Sequence, residues 1–414
     1  MGPPVYQQPY QPKPLMDTIK PIVRGIGTLA LVPLLVVLIV NVLILIWSPV
    51  VVLPETLDPV HGSLLFIIVP YSEPLFPLLE LNGAPFAAYH LFLVMAIVAS
   101  FLWMIYRSVG PFKQELAFKK PTKGHSPLYI IGTIFFAILA FDAIYAIVLY
   151  FLGIEITTPD FGSRQIWQLL NGLASASVWE ELVVRVLYLG IPLLLIALVI
   201  GKKRPWWRYV FGGGFPIGGK ELVLIWASAG IFALGHVVYW DLWKIVPTWV
   251  AGIAFGYLFL KLGLYACVML HFTVNYLTMP LDITQSLAIG VILGLVIIAW
   301  EFIGGVYLIS YINKLIRFLT GADLQPRPRP APMPAYPMPT GLGSQYQGSV
   351  GPGPGSTQPN DEQTRNQIQT VPATGDGIAP SARSPGFFVC PRCGNTEARY
   401  KDGKLECTRC GLVK

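Results

Sequence analysis

The sequence predicts an all-α polytopic membrane domain of about eight transmembrane helices, joined to a small β domain at the C-terminus. Hydrophobic residues make up 54% of the 414 residues and charged residues only 12%, whereas soluble domains carry about 25% charged residues. The mean hydropathy is +0.59. This composition excludes an ordinary soluble protein. The net charge of +7 does not by itself indicate nucleic-acid binding, because most basic residues fall in short loops beside apolar runs.

Eight apolar runs are long enough to cross a bilayer, because roughly 20 helical residues span its hydrocarbon core. The fourth run is too long for one straight crossing, and we expect it to kink or break near Gly190 and Pro192. The predicted spans are residues 26–53, 87–106, 128–152, 166–201, 221–240, 244–261, 263–280 and 283–313.

Charged residues in the connecting loops predict the orientation of these spans. The segment 54–86 contains four acidic residues and no lysine or arginine, whereas the loops after the second, fourth, sixth and eighth spans are basic. Since basic loops remain in the cytoplasm, we expect both termini in the cytoplasm and the protein in the cell membrane. Arg164 and Lys244 are exceptions on the outer side. We expect no cleavable signal peptide, because the N-terminal tail is polar and proline-rich.

Three charged residues lie together in the fourth predicted span: Glu180, Glu181 and Arg185. A charge near the bilayer centre costs roughly 2.5–3.5 kcal/mol on insertion scales, so this group needs partners or a water-filled cavity. Two later spans supply candidate partners. His236 lies in the fifth span, and His271 lies in the seventh, four residues before Asn275.

Helical spacing separates the roles of the two glutamates. Glu181 and Arg185 are four residues apart, so they share a helix face and can form an ion pair. Glu180 is rotated by about 100° from Glu181, so it is free to act as a general base. His271 and Asn275 also share a face. Three predicted helices thus contribute polar side chains to the interior of the membrane domain. Such an arrangement is stable in lipid only if the three helices pack together.

The residues alone allow three interpretations of this polar core. It could be the hydrolytic centre of an enzyme, a set of structural contacts in a membrane scaffold, or a proton or ion path in a transporter. Small residues at Gly172, Ala176, Gly252 and Gly256 permit close helix packing in any of these cases. We interpret Asp142, Glu301 and His90 as helix-pairing or interfacial groups.

Three motifs occur in order along the chain: Glu-Glu-x-x-x-Arg at 180–185, Phe-x-x-x-His at 232–236 and His-x-x-x-Asn at 271–275. Together they resemble the CPBP family of intramembrane proteases, also called Abi, which includes type II CAAX prenyl proteases. The resemblance covers about residues 130–300. It implies an intramembrane endopeptidase that acts on a membrane-associated protein or peptide, prenylated in the CAAX-type relatives.

The resemblance also implies a role for each polar residue. Glu180 would activate a water molecule with the assistance of His236, and His271 and Asn275 would donate hydrogen bonds to the oxyanion. Glu181 and Arg185 would support them. This mechanism needs no catalytic metal, and the sequence lacks His-Glu-x-x-His, the motif typical of zinc proteases.

Four cysteines near the C-terminus predict a structural zinc site. Cys390 and Cys393 form one Cys-x-x-Cys pair, Cys407 and Cys410 form another, and 13 residues separate the pairs. This spacing resembles a zinc ribbon, and Asp402-Gly403 between the pairs favours a hairpin turn. We expect Zn²⁺ as the cofactor of this domain and a reducing compartment. The fifth cysteine lies alone in an apolar span and is interpreted as a packing residue.

The partner of the ribbon is left open by its sequence. A protein partner or substrate recruitment is the first interpretation, and its basic residues also allow contact with nucleic acid or acidic lipid.

The predicted domains are an N-terminal tail at 1–25, a membrane domain at 26–320, a disordered Pro/Gly/Ser-rich linker at 321–386 and a zinc ribbon at 387–414.

Overall fold

The computed structural model describes residues 15–69, 75–119, 121–122, 124–201, 204–320, 398–401 and 404–407. The chain divides into two compact units, Met1–Arg329 and Pro330–Lys414. In the first unit, seven helices of the described residues are long and apolar enough to cross a membrane, which confirms a mostly helical membrane domain. The prediction that this domain is all-α is wrong in one place, because two strands pair between residues 62 and 82.

The first unit contains eleven helices of α or π winding, one short 3₁₀ helix (Leu242–Lys244) and one hairpin in its described residues. The hairpin is formed by β1 (Gly62–Ile68) and β2 (Leu75–Asn82), which pair antiparallel. The helices are α1 (Leu15–Trp47), α2 (Pro49–Leu57), α3 (Ala84–Leu116), α4 (Pro127–Phe151), α5 (Ile166–Ile200), α6 (Trp207–Phe211), α7 (Gly219–Trp240), α8 (Ile245–Lys261), α9 (Leu264–Asn275), α10 (Met279–Thr284) and α11 (Leu287–Thr320).

The prediction of eight full spans is wrong in one place. The predicted span 263–280 is divided into α9, which has 12 residues, and the short α10. A helix of this length reaches only about 18 Å, less than the roughly 30 Å of the hydrocarbon core. The division follows from Pro280, which in a continuous helix could not donate to the carbonyl of Tyr276, four residues back, and would clash with it. Pro280 instead lies at the start of α10, directly after Met279.

We expected a kink or a break near Gly190 and Pro192, and the break does not occur, because helix α5 is continuous there. Instead, the helix changes to π winding at Ala176–Glu180 and Leu182–Gly190 and returns to α winding at Ile191. The N–H of Ile191 donates to Val186, five residues back. Gly190 serves close packing, because a Cβ there would overlap the carbonyl oxygen of Tyr209 on α6.

The core of the membrane domain lies where α4 and α11 pack together. Phe135 and Phe136 of α4 are fully buried, and the indole of Trp300 on α11 lies 5.7 and 5.5 Å from their ring centroids. The indole N–H of Trp300 donates to the carbonyl oxygen of Ala30 at 3.1 Å, which ties α1 to the same core.

Two neighbouring glycines on α11 give a matched test of this packing. A Cβ at Gly304 would overlap the carbonyl oxygen of Phe136, whereas a Cβ at Gly305 would have no atom within 4 Å. Since overpacking a core costs typically 1–3 kcal/mol, we expect Gly304→Ala to destabilise the protein by about that amount and Gly305→Ala to leave it unchanged. Thermal unfolding in detergent measures both, and equal midpoints for the two variants would contradict the packing described.

The second unit is described only in its hairpin. Strands β3 (Ala398–Lys401) and β4 (Lys404–Cys407) pair antiparallel, with Lys401 opposite Lys404. This backbone pairing agrees with the hairpin predicted between the two cysteine pairs. Cys390, Cys393 and Cys410 lie outside the described residues, so the zinc ribbon and its metal remain a prediction.

Candidate active site

The two adjacent glutamates lie in the π-helical part of α5. Glu180 ends the first π segment, and Glu181 joins it to the second. Isolated π turns within α-helices are rare and occur frequently at functional sites. The sequence did not predict this winding, because a change in hydrogen-bond register depends on the packing around the helix.

Glu181 is fully buried and has two charged or polar partners. The Nε–H of Arg185 donates to its Oε2 at 3.0 Å, as the helical spacing predicted. Its Oε1 lies 2.9 Å from Nδ1 of His271 on α9. Glu181 therefore links α5 to α9, and both of its oxygens are occupied by donors.

Arg185 is also fully buried, and two aromatic rings enclose its guanidinium group. The carbon Cζ lies 5.2 Å from the ring centroid of Phe232 on α7 and 5.3 Å from that of Phe255 on α8. Cation–π contacts of this kind are stronger when the cation is desolvated. Phe255 was missed by the sequence analysis, since an aromatic residue in an apolar helix carries no signal that distinguishes a cation partner from a packing residue.

Glu180 faces the two histidines rather than the arginine. Its Oε2 lies 3.9 Å from Nε2 of His236 and 3.8 Å from Nε2 of His271. The side chains of Glu180, His236 and His271 are 16%, 19% and 8% exposed. Each of the three side chains is partly exposed, although Oε2 of Glu180 itself is buried, whereas Glu181 and Arg185 are buried completely.

Hydrogen bonds of the two histidines determine which ring nitrogens face Glu180. Nδ1 of His271 lies against the carboxylate of Glu181, and Nδ1 of His236 lies 3.0 Å from the carbonyl oxygen of Phe232. Both partners only accept hydrogen bonds, so each Nδ1 is assigned as the donor. In the neutral rings, both Nε2 atoms are then acceptors. Three acceptors converge on one point, an arrangement that suits a group with donor hydrogens, such as water.

Asn275 lies on the same helix as His271, and its amide is hydrogen-bonded to α5. Its Nδ2 donates to the carbonyl oxygen of Leu173 and to Oγ of Ser177, both at 3.3 Å. These bonds are longer than the usual range of 2.7–3.2 Å, so they are weak. The oxyanion role of Asn275 remains a prediction, and Ser177 is a contact that the sequence analysis missed.

His90 and Cys267 have partners other than Glu180, His236 and His271. His90 belongs to a separate network, with Nε2 3.0 Å from Oγ of Ser48 and Nδ1 3.1 Å from Oδ1 of Asn171. This network joins α3 to α5 and to the α1–α2 junction, as expected of a helix-pairing residue. Cys267 is fully buried, and its thiol donates to the carbonyl oxygen of Phe255 at 3.2 Å.

Fold and site together define a class: a polytopic helical membrane protein with a buried carboxylate–histidine centre. Residues 162–277 match the model of one family, described as type II CAAX prenyl endopeptidase Rce1-like. At the level of the family, this match implies an intramembrane endopeptidase. The matched segment contains both glutamates, both histidines and Asn275. No curated protein and no solved structure matches the chain.

Proposed function

We propose that this protein is an intramembrane endopeptidase in which Glu180 activates water to attack a peptide bond. The observation that carries the proposal is the convergence of Glu180 Oε2 with Nε2 of His236 and of His271, at 3.9 and 3.8 Å. A general base must lie within reach of the proton that it removes, directly or through one water. A water between Oε2 of Glu180 and Nε2 of His236 satisfies that requirement, and Nε2 of His271 is left to face the substrate carbonyl.

In the hydrolysis of the peptide bond, water is the proton donor and the carboxylate of Glu180 is the proton acceptor. Glu180 takes a proton from water while the water oxygen forms a bond to the scissile carbonyl carbon. The carbonyl oxygen becomes an oxyanion. When the C–N bond breaks, the proton held by Glu180 passes to the leaving amine, so the carboxylate is restored.

Stabilisation of the oxyanion requires donors placed around the same carbonyl. His271 would supply one from Nε2 in its protonated form, with the carboxylate of Glu181 against its Nδ1 at 2.9 Å. Asn275 would supply another by exchanging one of its weak 3.3 Å bonds for the oxyanion. His236 would assist Glu180. Glu181 and Arg185 position His271 and do not contact substrate.

We propose that catalysis needs no metal and that Zn²⁺ serves only the C-terminal ribbon. Glu180 already supplies the base, and the second nitrogen of His271 is committed to Glu181 at 2.9 Å. A chelator strong enough to remove zinc is therefore expected to release the metal from the ribbon and to leave the cleavage rate unchanged. Zinc release and peptide cleavage are measured on the same sample, and parallel loss of both would contradict a metal-free site.

The substrate class follows from the family match to CAAX prenyl endopeptidases. We propose a membrane-associated peptide with a prenylated cysteine near its C-terminus. The test uses the full-length protein in lipid vesicles with a farnesylated CAAX peptide, and with the same peptide lacking the farnesyl group as control. Cleavage of the farnesylated peptide, and its loss in His236→Ala and His271→Ala, is the expected result. A scaffold or a transporter would give no product with any variant.

The remaining features of the cell biology are proposed from the sequence. The loop charges support a protein of the cell membrane that has both termini in the cytoplasm. The basic ribbon would then lie in the cytoplasm, where it would contact a protein partner or recruit substrate. Nucleic acid is the alternative ligand of the ribbon.

A further inference from the structure

A cavity of about 330 Å³ lies at the end of the membrane domain where α5 begins. It is enclosed by the first turns of α5 and by the starts of β1 and α3. Its polar lining is formed by Ser63, Arg164, Gln168 and Asn171, and its apolar wall includes Phe86 and Trp167. Glu180 and the two histidines of the candidate active site do not line it. The cavity is therefore a separate feature of the membrane domain.

Arg164 gives this cavity a positive charge. Its guanidinium carbon Cζ lies 5.1 Å from the ring centroid of Phe161, so the side chain is held against an aromatic surface. Among the described residues, no carboxylate lies within 4 Å of Arg164. Basic residues are rare on the outer side of a membrane protein, where the loop charges place Arg164. A cation in this position without an acidic partner is expected to have a local role.

Asn171 supplies a hydrogen-bond donor from the inner wall of the cavity. The residue is only 6% exposed. Its Oδ1 lies 3.1 Å from Nδ1 of His90, which fixes the orientation of the amide. Its Nδ2 has no partner among the described residues and is not sealed from solvent. Since a buried polar group is costly unless it is hydrogen-bonded, this amide favours an acceptor that enters the cavity.

Gln168 and Ser63 complete the polar lining. Oε1 of Gln168 accepts from the backbone N–H of Gln165 at 3.0 Å, which leaves the amide N–H groups of Gln168 as donors. The hydroxyl group of Ser63 has no partner among the described residues. The lining thus presents one cation and three side chains with donors, and none of its residues is acidic. Such a set suits an anion that has several oxygens.

We propose that this cavity binds the phosphate group of a membrane lipid. Arg164 lies two residues before the membrane-spanning helix α5 begins, at the level of the lipid headgroups, and tryptophan residues such as Trp167 are enriched at this level. Arginine binds phosphate through two parallel N–H groups. Gln168 and Asn171 are three residues apart, on one face of α5. A lipid phosphate would accept from Arg164 at the entrance and from Asn171 further in, while its acyl chains stay in the bilayer.

Binding of soluble lipids to the full-length protein in a neutral detergent tests this proposal. The probes are short-chain phosphatidylglycerol, the diacylglycerol with the same chains, and inorganic phosphate, and isothermal titration calorimetry measures each affinity. We expect the phospholipid to bind more tightly than the other two probes. Equal binding of the diacylglycerol would mean that phosphate is not recognised. Inorganic phosphate that binds as tightly as the phospholipid would mean that the ligand is free phosphate, and either result would overturn the proposal.

Matched arginine variants locate the binding site. Arg164→Gln removes the cation of the cavity. Arg107→Gln is the control, because Arg107 is also exposed and its Cζ lies 5.9 Å from the ring centroid of Trp103, but it does not line the cavity. We expect Arg164→Gln to weaken phosphatidylglycerol binding by about 5- to 10-fold and Arg107→Gln to leave it unchanged. Equal affinities of the two variants would overturn the site.

Asn171→Asp tests the inner wall of the cavity. Aspartate keeps an oxygen for Nδ1 of His90 but replaces the free donor with a second oxygen, which repels phosphate. We expect binding to weaken at least as much as in Arg164→Gln, and thermal unfolding without lipid checks that the variant is folded. A folded Asn171→Asp protein with wild-type affinity would overturn the proposal. None of these measurements uses peptide cleavage, so the lipid site and the proposed peptidase function can fail independently.

Discussion

Replacing Arg185 with methionine is expected to destabilise the membrane domain by about 3–5 kcal/mol, because it leaves the carboxylate of Glu181 buried without its cation. Both side chains are 0% exposed, and the Nε–Oε2 distance is 3.0 Å. The guanidinium also lies between the rings of Phe232 and Phe255, so its contacts with two other helices are lost. Unfolding by denaturant in detergent measures the free-energy change.

The double variant Glu181→Gln/Arg185→Met is the control for this interpretation. Removing both charges avoids an unpaired buried ion, so the double variant should be more stable than Arg185→Met alone. If the changes in the free energy of unfolding of the two single variants instead add in the double variant, Glu181 and Arg185 do not act as the ion pair described.

Replacing Glu180 with glutamine is expected to lower kcat by about 10²- to 10⁴-fold, since glutamine has a similar shape but cannot accept the proton of water. Its Oε2 has no hydrogen-bond partner among the described residues, so the loss of charge should leave the unfolding midpoint nearly unchanged. Cleavage kinetics and thermal unfolding are measured on the same preparation.

The neighbouring carboxylate gives the matched comparison. Glu181→Gln should destabilise the protein, because Arg185 and His271 both lose a charged partner, and its effect on kcat should arise through His271. The assignment would be contradicted if Glu180→Gln lost stability but kept its activity while Glu181→Gln lost activity but kept its stability.

Much of this site could be predicted from the sequence because charges are costly in a membrane. Glu180, Glu181 and Arg185 require polar partners in an apolar span, and the histidines of two later spans were suitable. Spacing of four residues correctly paired Glu181 with Arg185. The pairing of Glu181 with His271, 90 residues away, could not follow from periodicity, because it depends on how α5 and α9 pack.

Other features depended on three-dimensional detail that no short pattern encodes. Asn275 shares a helix face with His271, yet its amide donates to Leu173 and Ser177, which precede Glu180 on α5. The span 263–280 was counted as full length because its apolar composition outweighed the signal of Pro280. The run from Leu64 to Ile68 has the length of a strand, but only the folded chain places it beside Trp179.

The most direct measurement of the central claim is the fate of a water oxygen. Wild-type protein and Glu180→Gln are incubated in lipid vesicles with the farnesylated peptide in water enriched in heavy oxygen, and the products are analysed by mass spectrometry. We predict that the wild type releases a fragment whose new carboxyl group carries one heavy oxygen, and that Glu180→Gln releases almost none. Equal product from both proteins, or no product from the wild type, would contradict the assignment of Glu180 as the base.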